Sequence, residues 1–161
     1  MNTLKSCGAT ACLIFCLLFA GAAAAQDSEK RVKMKDLPEA VQKTVREQSN
    51  GAKVRGLAKE VENGKTYYEA ELTVKGHNKD ILIDETGAVV EIEEKVEFSS
   101  LPPAVKAQIR ASAGKGKIKS VESITKTGAP TVYEALVIKA GRKFEITVAS
   151  DGKLISQIKN P

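Results

Sequence analysis

From Tyr67 to Val74 the chain alternates. Tyr68, Ala70, Leu72 and Val74 fall on one side, and Tyr67, Glu69, Glu71 and Thr73 on the other. A period of two predicts a strand with one buried face. The pattern recurs at 133–141, where "YEALVIKAG" follows the earlier "YEAELTVKG" of 68–76. Other stretches repeat with it. "LPEAVQKTVRE" at 37–47 matches "LPPAVKAQIRA" at 101–111, and "ILIDETGAVV" at 81–90 matches "ITVASDGKLI" at 146–155. The offset is 64 residues at first and 65 later, so one inserted residue accounts for the drift.

Each copy opens with helical spacing. Leu37, Ala40, Val41, Val45 and Gln48 form one stripe, and Leu101, Ala104, Val105, Ile109 and Ser112 repeat it. Asp36 with Glu39 reads as a capping box, and Ser100 occupies the equivalent cap. Strands follow. In the first of them Val54 and Leu57, like Ile118 and Val121, stand three apart, which predicts a bulge near Gly56 and Ser120. "DETG" and "SDG" predict tight turns into a last strand. The expected fold class is α+β: two tandem repeats, each one helix packed on a four-stranded antiparallel sheet. A unit of about 60 residues buries little surface, so the copies are expected to share an interface and unfold together.

The amino terminus changes the picture of the compartment. Lys5 precedes the apolar run "ATACLIFCLLFAGAAAA", which ends in small residues. This predicts a signal peptide over 1–25, cut after Ala25. The alternative is an uncleaved anchor. Cleavage leaves a linker at 26–33, repeats at 34–97 and 98–161, and no transmembrane helix. All three cysteines (Cys7, Cys12 and Cys16) lie in the leader, so residues 26–161 carry no disulfide, thiol nucleophile or cysteine metal site. A periplasmic or secreted location follows.

Catalytic chemistry finds no foothold. The single histidine, His77, follows Gly76 at an expected hairpin turn and reads as solvated. Glu91, Glu93, Glu94 and Glu97, with Asp84 and Glu85 nearby, read as a solvated acidic face, because no calcium-loop spacing is present. Tyr67 could stack a ligand, while Tyr68 and Tyr133 read as core. No nucleophile elbow, zinc-binding helix motif or phosphate loop occurs. No enzyme, cofactor or metal is expected.

Charge is divided unequally. Residues 34–97 hold 10 Lys and Arg against 14 Asp and Glu, and residues 98–161 hold 11 against 4. Nucleic acid is an improbable partner for an exported chain with few aromatics. The basic copy could instead meet the other copy, an acidic protein or an anionic envelope surface. Drift on solvated faces is the plainer reading of the split.

"LPxAV", the "YEA" strand and the "ILIDETG" or "ITVASDG" hairpin resemble the PepSY-like domain, also called beta-lactamase-inhibitor-like. The resemblance spans about residues 34–159. It implies helix-on-sheet units and an exported, non-enzymatic protein that binds another envelope or secreted protein. Inhibition of a periplasmic or extracellular hydrolase is one alternative, and a structural role at the envelope surface, held by the basic copy, is another. The candidate partner-binding face comprises Val132, Leu136 and Ile138, rimmed by Arg142 and Lys143. One slip of strand phase would put Leu136 and Ile138 in the core instead.

Overall fold

The computed structural model describes residues 28–159. The expected leader over 1–25 and its cleavage site lie outside them. After strand β1 (Ser28–Arg31), a turn of 3-10 helix (Met34–Asp36) leads into helix α1 (Glu39–Gln48). Strands β2 (Lys53–Glu62), β3 (Lys65–Val74), β4 (His77–Asp84) and β5 (Val89–Val96) follow. The sequence of elements then repeats. A second 3-10 turn (Phe98–Ser100) precedes helix α2 (Pro103–Ala113) and strands β6 (Lys117–Lys126), β7 (Val132–Lys139), β8 (Arg142–Ala149) and β9 (Leu154–Lys159).

The expected pair of four-stranded sheets is corrected by this topology. Among the described residues, nine strands form one antiparallel sheet in chain order, and the architecture is mostly β. The seam is β5 on β6, in continuous register from Glu91↔Lys126 to Val96↔Val121. Two separate sheets would each leave a row of backbone N–H and C=O groups bare at this point, and pairing the edges satisfies both rows. Side-chain alternation describes faces, not edges, so the repeat pattern could not report the join. At the other end, residues 28–31 of the expected linker supply β1, which pairs with β2 from Ser28↔Val61 to Arg31↔Ala58.

Both helices cover the same face. One core gathers Leu37, Val41 and Val45 of the α1 segment over Leu57, Tyr68, Ala70, Leu72, Ile81 and Ile83. The other gathers Leu101, Val105, Ile109 and Ala113 over Val121, Ala135, Val137, Ile146 and Val148. Strand β5 serves both from one side, with Ile92 packed on the first core and Val96 on the second. The strand phase read from "YEA" therefore holds, and the bulges fall where the odd spacing placed them, between Val54 and Gly56 and between Ile118 and Ser120.

The helix starts differ from expectation. Pro38 and Pro102 are the N-caps, and neither helix has a side-chain cap. Asp36 instead ends a 3-10 turn, and the Ser100 hydroxyl donates to the Glu97 carbonyl at 2.7 Å. The tight 3-10 turn consumes the residues that a capping box would have used. Further along, the turns into β5 and β9 sit against the helices. Gly87 (φ +87°) and Gly152 (φ +90°) adopt the left-handed region. A Cβ at either would stand within 2.9 Å of Ala40 or Ala104. Thr44 Oγ1 locks the first turn by donating to the Gly87 carbonyl at 2.6 Å.

Candidate binding face

The face without helices carries the alternate residues of every strand. In the first half these are mostly carboxylates. Glu60 and Glu69 lie on neighbouring strands, each only 8% exposed. Burial, followed by nearby carboxylates, pushes Glu60 up to about 7 and Glu69 up to about 8. A hydrogen bond with Glu69 offsets part of the rise at Glu60. Asp80 is raised to about 6 by burial, against the pull of Arg55, whose Nη2 donates to Asp80 Oδ1 at 2.7 Å. Arg31 of β1 reaches across to Glu71 at 2.6 Å. Gly56 leaves room for that crossing, since a Cβ there would stand 2.2 Å from the Arg31 guanidinium.

Expectation and structure part at the acidic run. Glu91 is buried (7% exposed) and meets Lys126 Nζ at 3.1 Å across the seam. Glu91 and Glu93 share the helix-free face, opposite Leu82 and Asp80, while Glu94 lies on the other face. Asp84 caps its own turn, accepting from the Thr86 hydroxyl at 2.6 Å and the Ala88 N–H at 3.0 Å. Buried Glu69 and its half-buried counterpart Glu134 were not singled out from sequence. The available signal was the Glu of "YEA", present at the same place in both copies. Among the described residues no group of three or more candidate ligands is placed to hold a metal.

Two hollows open on this face, and their sizes differ tenfold. The pocket among Glu60, Glu69, Asp80, Leu82, Glu91 and Glu93 has about 20 Å³, room for a water molecule only. The second, about 240 Å³, runs over the seam into the second half. Its walls are Ile124, Ala129, Pro130, Val132 and Ile155, and its polar groups include Glu93, Glu134 and Thr147. Burial, then Glu145 and Glu93, raises Glu134 to about 7, and its carboxylate accepts a long hydrogen bond (3.4 Å) from Thr147 Oγ1. The groove thus offers apolar walls and a carboxyl that readily takes a proton or a cationic neighbour.

Val132 lines this groove. Leu136 and Ile138 continue along the same face of β7, opposite Glu145 and Lys143, and are half-buried there rather than in the core. Lys143 shares their face. Arg142 pairs with Lys139 and falls in the opposite phase, away from the other four. His77 begins β4 opposite Val74, and belongs to no candidate metal-holding group among the described residues.

A family model described as "Putative beta-lactamase-inhibitor-like, PepSY-like" matches residues 24–91 and, overlapping them, 66–156. The chain belongs to this family. Solved structures agree with a PepSY-like fold. A "putative periplasmic" protein from Bacteroides eggerthii superposes with a TM-score of 0.66 at 18% identity, covering 76% of this chain and 88% of that one. A BLIP-like protein from Bacteroides fragilis gives 0.60 at 20% identity, covering 76% and 86%. At such identity the likeness concerns the fold alone. No curated protein matches the chain.

Proposed function

We propose that this PepSY-like chain is an exported binding module, acting in the periplasm or outside the cell, and that it captures another envelope or secreted protein on the helix-free face of its sheet. One observation carries the reading. Both helices lie on one face, which leaves the other open with a groove of about 240 Å³ that is apolar at its walls and acidic within. A pocket of this kind, apolar with few convergent polar groups, is where ligands bind. The neighbouring ionic cluster has no comparable space, so binding centres on Ile124, Val132 and Glu134. The role proposed is recognition rather than catalysis, in keeping with the family's beta-lactamase-inhibitor-like description.

A stoichiometric partner should be retained from envelope extract by the immobilised protein. Val132→Asp should release it, while Lys35→Asp, on the exposed 3-10 turn before α1, should not. Equal retention by both variants would remove the face from the account. The family description also favours a second reading, inhibition of a hydrolase. Slowed turnover of a purified periplasmic hydrolase, reversed by Val132→Asp, would support it.

A further inference from the structure

Among the described residues, the exposed large hydrophobic side chains are Leu154 (39%), Ile155 (45%) and Ile158 (42%), and all three lie on β9. This strand ends the sheet and pairs with β8 alone. Its counterpart in the first half is β5, which occupies the same position after the same turn. On β5 the corresponding edge is filled by β6. The opposite end of the sheet is protected differently. There the terminal strand, β1, has four residues, "SEKR", all exposed and mostly charged, which discourages further pairing. Strand β9 carries no charge along its middle; one bulge, at Ile155, interrupts its register with β8, and lysines stand only at its margins: Lys153 just before it and Lys159 at its end.

We propose that the outer edge of β9 is a strand-addition site for an extended acidic segment of another protein, in which apolar residues alternate with carboxylates. The main-chain groups of the edge would bind the segment as a tenth strand, and Ile158, opposite Glu145 on the helix-free face, would cover its apolar positions on that side, while Leu154, opposite Val148, faces the helix side. Charge selects the partner. Residues 98–161 carry 11 Lys and Arg against 4 Asp and Glu. A second copy of the chain, paired symmetrically through β9, would set two such halves side by side with their lysines. An acidic strand meets the same edge with complementary charge. The site is distinct from the groove, and Ile155, which lines the groove, is left out of its test.

The purified protein is titrated with two labelled peptides, Glu-Val-Glu-Ile-Glu-Val-Glu and its lysine counterpart Lys-Val-Lys-Ile-Lys-Val-Lys. The acidic peptide should bind one to one, about tenfold or more tighter than the basic one, and weaken with added salt. Ile158→Glu should lower that affinity about tenfold without shifting the melting temperature, and Leu154→Glu, on the other face, should lower it less. Absence of binding, equal affinity for both peptides, or full affinity in Ile158→Glu would overturn the proposal. So would a dimer dispersed by Ile158→Glu, which would make the occupant a second copy.

Discussion

The two halves run the same order of elements yet finish their surfaces in opposite ways. In the first, both outer edges are covered, by β1 on one side and β6 on the other, and the open face is a mesh of ion pairs and buried carboxyls. In the second, one edge is bare, and the open face carries Val132, Leu136 and Ile138 where the first has Tyr67, Glu71 and Thr73. The helix-side cores are nearly interchangeable. A duplicated sequence is thus held constant where it packs and varied where it meets solvent or a partner.

The largest expected effect probes what the halves share. Gly152→Val and Gly87→Val each force a side chain into the left-handed region and against a helix, so each should cost about 3 kcal/mol or more. Thermal unfolding should move down by a similar amount for both, in one transition. Two resolved transitions, with only the mutated half displaced, would separate the halves.

A smaller effect should distinguish the halves by pH. Glu60 and Glu69 have folded pKa values raised from 4.5 to about 7 and about 8, so between those limits the native state holds more protons than the unfolded chain. Their contribution to stability is therefore complete below about 4.5 and is lost as pH rises through 7 to 8. The melting temperature should fall by several degrees between mildly acidic and mildly alkaline buffer. Glu60→Gln with Glu69→Gln should flatten that slope more than Glu134→Gln does, since Glu134 is a single raised carboxyl. An unchanged slope in the double variant would show that these two carboxyls do not carry the pH dependence.

Leu136→Asp should be milder still, because Leu136 is half-buried on the open face. A loss of about 1 kcal/mol is expected in denaturant melts, with retention of a partner reduced. A loss comparable to that of the glycine variants would place Leu136 within the core. Smallest of all should be Arg31→Ala. Its ion pair with Glu71 is largely solvated on the arginine side, and removing it should cost less than about 1 kcal/mol, read as faster amide exchange in β1.

Much of the fold was legible in the side-chain pattern. Val41 and Val45, Tyr68 and Leu72, and Ala135 and Val137 are buried as their periods required. The bulges of β2 and β6 were visible as a spacing of three, while the register shifts in the β4–β5 and β8–β9 pairs were not. What escaped depends on the backbone or on curvature. The β5–β6 seam and the β1 edge are hydrogen bonds between main chains, with no side-chain signature. The run around Glu91 looked solvated because alternation marks which side a residue faces, not whether neighbouring strands close over it. Of the candidate residues, Val132, Leu136, Ile138 and Lys143 share the helix-free side of the sheet, and Arg142 lies on the other.

The central claim is that the sheet is continuous through the seam. Amide hydrogen exchange of the native protein tests it most directly. The paired amides from Glu93 to Lys95 and from Glu122 to Ile124 should exchange about as slowly as those of β3, β4, β7 and β8, and open only with global unfolding. Rapid exchange along β5 and β6, with the two halves still protected, would contradict it.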